Sequence, residues 1–175
     1  MPRDLKASIR SIPGFPKPGI VFRDITTLLA QPEAYRDALD QFEDFFRRRG
    51  VTRIVAVDSR GFIFGGALAD RMKLPFIPVR KRGKLPFTTI GAEYALEYGT
   101  DRLEMHLDAI QRGDQVAVID DLLATGGTLE ATCRLVEQLG GEVAAIGVLI
   151  ELSFLKGRAK LTRYDVKSLV DYDSE

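Results

Sequence analysis

The sequence has a single cysteine and no long run of apolar residues. One cysteine, Cys133, excludes an internal disulfide, and the absence of a Cys-x-x-Cys pair gives no indication of a zinc site. No stretch approaches the roughly 20 apolar residues of a membrane helix, and the first residues lack the apolar core of a signal peptide. We therefore expect a cytoplasmic protein with a reduced thiol and no membrane partner.

An excess of charge of either sign is also missing. The 25 Lys and Arg residues balance 25 Asp and Glu residues, so the formal net charge is zero. A general nucleic-acid binder is usually basic, and we expect no nucleic-acid partner. A chain of 175 residues, of which 45% are hydrophobic, is long enough to bury a core of its own. We expect a single domain over residues 1–175.

Short apolar, β-branched runs alternate with segments of helical periodicity. The predicted strands are Arg53–Asp58, Pro75–Val79, Val116–Asp120 and Val143–Ile150, and the predicted helices begin at Pro32, Phe62 and Thr128. Continuous apolar strands separated by helices are typical of a parallel sheet that is covered on both faces. The pattern predicts an α/β fold with a doubly wound, mainly parallel, twisted sheet flanked by helices.

Two segments break this alternation. Three prolines and two glycines between Pro13 and Gly19 exclude an α-helix there, so we expect the first 20 residues to be irregular and extended, within an N-terminal arm of residues 1 to about 30. Residues 80–107 carry a basic turn and then strand-like alternation on both sides of residues 96–99. This pattern predicts a flexible β-hairpin flap over about 82–107, inserted into the core.

The strongest motif runs from Val116 to Thr128. It reads as a strand, two acids, a small-residue turn with two glycines, and a helix start. Backbone N–H groups that converge at a helix start form an anion cradle, and glycine allows a ligand to approach closely. Carboxylates beside such a cradle would repel a bare anion but would accept hydrogen bonds from hydroxyls, which is the chemistry of a ribose 5-phosphate. The motif is neither a Walker A loop nor a GxGxxG fingerprint.

This motif resembles the phosphoribosyl-pyrophosphate motif of the type I phosphoribosyltransferases, and the wider match is to the adenine phosphoribosyltransferase family. The motifs that carry the resemblance, in chain order, are Phe22–Ile25, Asp58–Phe62, Val79–Pro86, Leu96–Gly99 and Asp120–Thr128. The resemblance implies the type I phosphoribosyltransferase fold, with the N-terminal arm as a hood over the site. It also implies that adenine and phosphoribosyl pyrophosphate are converted to AMP and diphosphate in purine salvage.

The resemblance assigns residues to each part of the sugar donor. The ribose and its 5-phosphate would be held by Asp120, Asp121, Ala124, Thr125, Gly126, Gly127 and Thr128. The pyrophosphate would be held by Ser59, Arg60, Arg80, Lys81 and Lys84, with Arg60 also counted as catalytic. Mg2+ is the expected cofactor, bound through substrate oxygens and water rather than by direct protein ligands.

The resemblance also covers the base, the flap and the assembly. Main-chain groups of Val21 and Arg23 would read the adenine edge, with Phe22 packed near the ring. Glu97, the other expected catalytic residue, would take or share the proton that adenine loses. Tyr98 would belong to the closing flap, and a homodimer is implied.

Other interpretations of the same residues stay open. The two acids can be the capping residues of an ordinary strand-to-helix turn, and the cations at 80–84 can form a solvated turn. A related transferase would act on hypoxanthine, guanine or xanthine instead of adenine. A regulator could bind phosphoribosyl pyrophosphate without turnover, although it would be expected to carry an added nucleic-acid-binding module. We expect His106 on the polar face of a flap strand and Cys133 on the core face of a helix.

Overall fold

The computed structural model describes residues 3–96 and 98–175. Its strands are β1 Arg10–Pro13, β2 Val21–Asp24, β3 Arg53–Val57, β4 Phe76–Lys81, β5 Thr89–Ala95, β6 Thr100–His106, β7 Gln115–Leu123, β8 Glu142–Leu152 and β9 Val166–Tyr172. Its α-helices are α1 Thr26–Leu29, α2 Pro32–Arg47, α3 Arg60–Met72 and α4 Gly127–Gln138. Short 3-10 helices cover Lys6–Ser8, Ser153–Leu155 and Gly157–Leu161.

Within the described residues, seven strands form the main sheet in the order β5-β6-β4-β3-β7-β8-β9. The neighbouring pairs β4-β3, β3-β7, β7-β8 and β8-β9 are parallel. Strand β6 pairs antiparallel with both β4 and β5. The sequence therefore predicted the mainly parallel α/β sheet correctly. Strands β3 and β7 are neighbours, so Asp58, which follows β3, lies near Asp120 in the second half of β7.

Helices bury an apolar core on each face of the sheet. On one face, α2 and α3 pack Phe42, Phe46, Phe64 and Leu68 against β3, β7 and β8. On the other face, α4 packs Leu129, Cys133 and Val136 against the same strands and against β6. Cys133 is fully buried, as the helical spacing predicted, and burial raises the pKa of its thiol. Pro32 starts α2 and glycines follow α2 and α4, as the sequence predicted, whereas α3 begins at Arg60 and α4 at Gly127, slightly before the predicted Phe62 and Thr128.

The N-terminal arm is more ordered than the prolines suggested. The prediction of an irregular segment is wrong for Arg10–Pro13, which forms β1 and pairs antiparallel with β2. A hydrogen bond from Gly14 N–H to Ile20 O closes the turn between the two strands. Proline removes a donor only at its own position, so the N–H groups of alternate residues stay available for pairing.

The flap region forms the predicted hairpin, β5 and β6, with seven paired positions from Thr89–His106 to Ala95–Thr100. The hairpin is held to the core near its tip, since Arg134 on α4 donates to the carbonyl of Glu93 at 2.6 Å. His106 lies on β6, as the sequence predicted, and is partly exposed. Between the strands, Leu96 N–H donates to Gly99 O at 2.9 Å.

Candidate active site

The loop between β7 and α4 forms the candidate phosphate cradle. Gly126 adopts φ +87°, a conformation that L side chains rarely tolerate, and this turns the chain into the first turn of α4. All seven residues that the sequence assigned to the ribose phosphate line one cavity beside this loop. The lining residues are Arg60, Asp120, Asp121, Leu122, Leu123, Ala124, Thr125, Gly126, Gly127, Thr128 and Leu129.

The two acids differ in their surroundings. Asp121 is buried, with 10% of its side chain exposed, and its carboxylate faces the guanidinium of Arg60. Asp120 is partly exposed to the cavity, and its Oδ1 accepts a hydrogen bond from the Asp121 N–H at 2.8 Å. Desolvation raises the pKa of Asp120 well above its ordinary value, and the neighbouring charge of Asp121 adds to this effect. This pair therefore favours a ligand that supplies hydroxyl donors or positive charge.

Arg60 begins α3 directly after Ser59, at the carboxyl end of β3. Its Nε lies 2.6 Å from Asp121 Oδ2, while 45% of its side chain stays exposed. Its guanidinium carbon also lies 5.6 Å from the centre of the Phe22 ring. Arg60 thus connects the cradle strand with the N-terminal hood, and it can still be reached by a ligand.

A second cavity continues the cleft from the acids toward the flap. Its lining residues are Val57, Asp58, Ser59, Arg60, Lys81, Tyr94, Leu103, Asp120, Asp121 and Thr128. The structure therefore brings Ser59, Arg60 and Lys81 together with the cradle. The Lys81 ammonium lies 3.2 Å from Asp101 Oδ2, and this hydrogen bond raises the pKa of Lys81.

Two predicted pyrophosphate ligands lie beside the cleft rather than in its lining. Arg80 Nε lies 2.8 Å from Asp58 Oδ2, so this guanidinium is one residue removed from the cavity. Lys84 is exposed, and its carbonyl accepts from Arg80 Nη1 at 3.3 Å. Both cations would have to change rotamer, or the turn would have to move, before they touch a ligand between Ser59 and Lys81.

The hood presents main-chain groups of β2 away from β1. Hydrogen-bonded and non-hydrogen-bonded pairs alternate along an antiparallel ladder. Because Gly14 N–H donates to Ile20 O, the next hydrogen-bonded pair is Ile12 with Phe22, and the main-chain groups of Val21 and Arg23 point away from β1. The Val21 N–H instead donates to Glu175 Oε2 at 2.8 Å, which places an acceptor where a ligand could replace it. The Phe22 ring contacts Phe15 edge-on, with ring centres 5.2 Å apart.

The Arg23 side chain points to the carboxyl-terminal residues. Its guanidinium lies 3.8 Å from the centre of the Tyr172 ring and donates to Ser11 Oγ at 2.6 Å. This fixes β2 against β9 and leaves the Arg23 main chain as the part available to a ligand.

The two flap residues cannot both be placed. Glu97, the predicted proton acceptor, lies outside the described residues. Tyr98 is 88% exposed and does not line either cavity of the cleft. Sequence reasoning missed Asp58, Tyr94 and Leu103 as lining residues. The signal for Tyr94 and Leu103 was weak because each is a single side chain on a strand that reaches the cleft only in three dimensions. Asp58 lies in the turn after β3 and belonged to the Asp58–Phe62 motif without being assigned a role.

Among residues 3–96 and 98–175, no three His, Cys, Asp or Glu side chains form a group that could hold a metal ion. In the same residues, no helix is both long and apolar enough to cross a membrane.

A parallel α/β sheet with an anion cradle, two acids and an arginine at the carboxyl ends of its strands defines a protein that binds a phosphorylated sugar or nucleotide. Comparison with known proteins narrows this class. The chain belongs to the phosphoribosyl transferase domain family, whose model matches residues 24–174. This confirms the resemblance indicated by the sequence motifs.

Individual relatives match over nearly the whole chain. An adenine phosphoribosyltransferase from Clostridium perfringens is 56% identical over 169 residues, covering 97% of this chain and 98% of the relative. A solved adenine phosphoribosyltransferase from Thermoanaerobacter pseudethanolicus superposes with a TM-score of 0.93 at 49% identity, covering 97% of this chain and 98% of that one. The Saccharomyces cerevisiae enzyme, solved in complex with an imino-altritol bisphosphate and adenine, gives a TM-score of 0.90 at 39% identity, with 95% and 96% coverage.

Proposed function

We propose that this protein transfers the phosphoribosyl group of phosphoribosyl pyrophosphate to adenine, giving AMP and diphosphate in purine salvage. The observation that carries the proposal is the order of groups along one cleft. The phosphate cradle, the acid pair and the cations follow one another there, as do the 5-phosphate, the hydroxyls and the pyrophosphate of the donor. The solved relative with an imino-altritol bisphosphate and adenine supports the same substrates.

The ribose end of the donor binds at the β7–α4 loop. Backbone N–H groups between Ala124 and Thr128, with the hydroxyls of Thr125 and Thr128, hold the 5-phosphate at the positive end of α4. Asp120 and Asp121 accept hydrogen bonds from the 2- and 3-hydroxyls. Their charge also favours the positive ribose ring of an oxocarbenium-like transition state.

The pyrophosphate binds between Ser59 and Lys81. Arg60 offers a planar fork of donors to the phosphate oxygens, and Lys81 lines the same cavity. Arg80 and Lys84 reach the leaving group when the turn that carries them closes on the cleft. When the bond from the anomeric carbon to pyrophosphate breaks, these cations stabilise the charge that collects on the leaving oxygens.

Mg2+ would bind in this cleft together with phosphoribosyl pyrophosphate. The carboxylates of Asp120 and Asp121 both line the cleft, and carboxylate oxygens suit Mg2+. We place Mg2+ on substrate oxygens and water, with Asp120 and Asp121 nearby. When bound, Mg2+ neutralises part of the phosphate charge.

The base binds under the hood. The Val21 N–H, now bonded to Glu175, donates to a purine nitrogen, and a main-chain carbonyl of Val21 or Arg23 accepts from the exocyclic amine. The Phe22 ring lies close to Arg60 and packs near the base. As the bond from the base nitrogen to the anomeric carbon forms, adenine loses its imidazole proton to Glu97.

The flap, about 82–107, closes over the bound substrates and excludes water that would hydrolyse the activated sugar. Tyr98 moves with it. Together with the N-terminal hood, about 1–30, the flap belongs to the single domain of residues 1–175. In this structure Arg134 on α4 holds the carbonyl of Glu93, near the end of β5.

We place the enzyme in the cytoplasm as a homodimer without a nucleic-acid or membrane partner. The buried Cys133 thiol is consistent with a reducing compartment. Two exposed apolar side chains at the flap base, Phe87 at 61% and Leu107 at 48%, support a contact with a second copy. Sedimentation of the wild type would give twice the mass of the chain if this is right.

The deciding assay is formation of the nucleoside monophosphate from phosphoribosyl pyrophosphate and Mg2+ with adenine, hypoxanthine, guanine and xanthine in turn. We expect AMP and diphosphate in equal amounts with adenine. Turnover of an oxopurine in preference to adenine would move the enzyme to the related transferases. Binding of the donor without turnover of any base would make the protein a regulator.

A further inference from the structure

The cradle loop packs directly against the backbone of a segment more than 30 residues further along the chain. Gly157, the first residue of the last 3-10 helix, is buried beneath Ala124 and Thr125. A side chain at Gly157 would clash with the Ala124 carbonyl oxygen, and its Cβ would lie 2.9 Å from the Thr125 carbonyl carbon. The close approach is reciprocal, since a Cβ on Gly126 would lie 2.5 Å from the carbonyl oxygen of Gly157. Only glycine at both positions allows this approach.

An ion pair holds this segment in place. Arg158 donates to both carboxylate oxygens of Glu151, with Nε at 3.0 Å and Nη2 at 2.6 Å, and Nη1 donates to Val166 O at 2.9 Å. Glu151 is buried, and its register partner on β7 is Leu123, the last residue before the cradle. Arg158 holds the pKa of Glu151 below its ordinary value, mainly through the side-chain hydrogen bond. The fork of Arg158 thus fixes Gly157 relative to the strand that leads into the loop.

We propose that Gly157 is a positioning residue for the 5-phosphate cradle, and that the Arg158–Glu151 pair holds it in register. The inference rests on the proposed function, since it assigns the loop above Gly157 to the phosphate. A phosphate cradle works by pointing several N–H groups at one spot, and the direction of each N–H depends on the peptide plane before it. Gly157 contacts the backbone atoms that set two of these planes, those of Ala124 and Thr125.

The test uses the full chain and ribose 5-phosphate, which carries the phosphate end of the donor without the pyrophosphate. Titration calorimetry would give its dissociation constant for the wild type and for Gly157→Ala. We expect the constant to rise about 10- to 100-fold, since small misplacements of a binding group cost up to about 10²-fold. The KM for adenine at saturating donor should change by less than about threefold, because the atoms nearest to a Cβ at Gly157 belong to the cradle loop rather than to the hood.

Gly66→Ala is the matched control. Gly66 lies on an exposed face of α3, and a Cβ there meets no atom within 4 Å. This variant should bind ribose 5-phosphate as the wild type does. If Gly157→Ala also binds within about twofold of the wild type, the positioning role is overturned while the proposed activity stands. If the wild type neither binds ribose 5-phosphate nor makes AMP, the proposed function itself fails.

A second variant decides the matter if Gly157→Ala does not fold. Arg158→Lys keeps the charge beside Glu151 but cannot bridge both carboxylate oxygens and the Val166 carbonyl. We expect a folded protein whose dissociation constant for ribose 5-phosphate rises at least about threefold, with the adenine KM unchanged. A folded Arg158→Lys with wild-type affinity would then overturn the proposal.

Discussion

Arg60 Nε lies 2.6 Å from Asp121 Oδ2, so the first residue of α3 is tied to the strand that leads into the phosphate cradle. The pair joins a predicted pyrophosphate ligand to a predicted ribose ligand. Because almost half of the Arg60 side chain stays exposed, an incoming phosphate can share the guanidinium with Asp121. The acid thus orients the arginine before the substrate arrives, and less side-chain entropy is lost on binding.

Replacing this arginine should affect catalysis far more than folding. Arg60→Ala is expected to slow AMP pyrophosphorolysis. The loss of transition-state stabilisation should be about 2–4 kcal/mol, by analogy with the loss of one oxyanion donor. Because 45% of the Arg60 side chain is exposed, solvent screens part of the charge that its loss leaves on the buried Asp121, so the melting temperature should fall by only a few degrees. Arg36→Ala, an exposed arginine on α2, is the control. Unchanged rates, or a large fall in melting temperature without a kinetic defect, would make Arg60 structural.

The raised pKa of Asp120 predicts a gain in stability when its charge is removed. An acid whose pKa is higher in the folded state than in the unfolded state loses stability as pH rises from its ordinary value, near 3.8, through the folded value. Asp120→Asn keeps the oxygen that accepts from the Asp121 N–H and removes the charge. It should therefore raise the melting temperature at pH 8 more than at pH 4, by roughly 2–4 °C for each kcal/mol.

Asp108→Asn is the matched control for this effect, since Asp108 is exposed on a turn. Its melting temperature should follow that of the wild type at both pH values. A melting temperature of Asp120→Asn below that of the wild type at pH 8 would show that the Asp120 carboxylate stabilises the fold.

The same acids should govern use of the sugar donor. Asp120→Asn and Asp121→Asn are expected to raise the KM for phosphoribosyl pyrophosphate and to lower kcat, with a smaller effect on the adenine KM. Each variant weakens charge-assisted hydrogen bonds to the ribose hydroxyls, which contribute about 1.5–3 kcal/mol each. Initial rates with each substrate varied in turn would measure this. An increase confined to the adenine KM would contradict the assignment.

Glu97 stays a prediction from the sequence. Glu97→Ala is expected to leave the dissociation constant of phosphoribosyl pyrophosphate unchanged and to reduce kcat by ~10²–10⁴-fold, the usual contribution of a positioned proton acceptor. Glu93→Ala is the control, because Glu93 is an exposed acid on the same hairpin and uses its carbonyl, not its carboxylate, to bind Arg134. Turnover of Glu97→Ala within about twofold of the wild type would remove Glu97 from the mechanism.

Base selectivity should come from the main chain of the hood. A hypoxanthine in place of adenine would face donor with donor and acceptor with acceptor, and each unpaired buried group costs about 1–3 kcal/mol. We expect kcat/KM for adenine to exceed that for hypoxanthine by roughly 10²–10⁴-fold. Arg23→Ala removes a side chain that packs on Tyr172, so it should weaken binding of both bases and keep the preference. A reversed preference in Arg23→Ala would show that the side chain reads the base.

The sequence predicted the cradle because its strand, turn and helix start are contiguous between Val116 and Thr128. It predicted Arg60 because β3, the turn after it and the start of α3 are also contiguous in the sequence. It could not place Tyr94 or Leu103 in the cleft, because β5 and β6 reach the cleft only through the order of the sheet. The periodicity of a sequence does not determine side-chain rotamers, so the ion pair between Arg80 and Asp58 was not predicted.

The segment behind the cradle gave no signal either. Three-residue to five-residue 3-10 helices carry no amphipathic pattern, and Gly157 resembles an ordinary turn glycine in the sequence. Strand β1 was missed because the prolines around it outweighed the alternation of only four residues.

The contacts between the hood and the carboxyl-terminal residues have a consequence for biosynthesis. The partners of Val21 and Arg23 include Glu175 and Ser174, which are more than 150 positions away along the chain. Ribosomes synthesise the N-terminal residues first, at about 5–20 residues per second, so β2 is made roughly 8–30 s before these partners. A nascent chain can form the β1–β2 hairpin early, but its base-reading edge is completed only after the last strand has been translated and has joined the sheet. The contacts that hold β2 therefore form late, after β9 has joined the sheet.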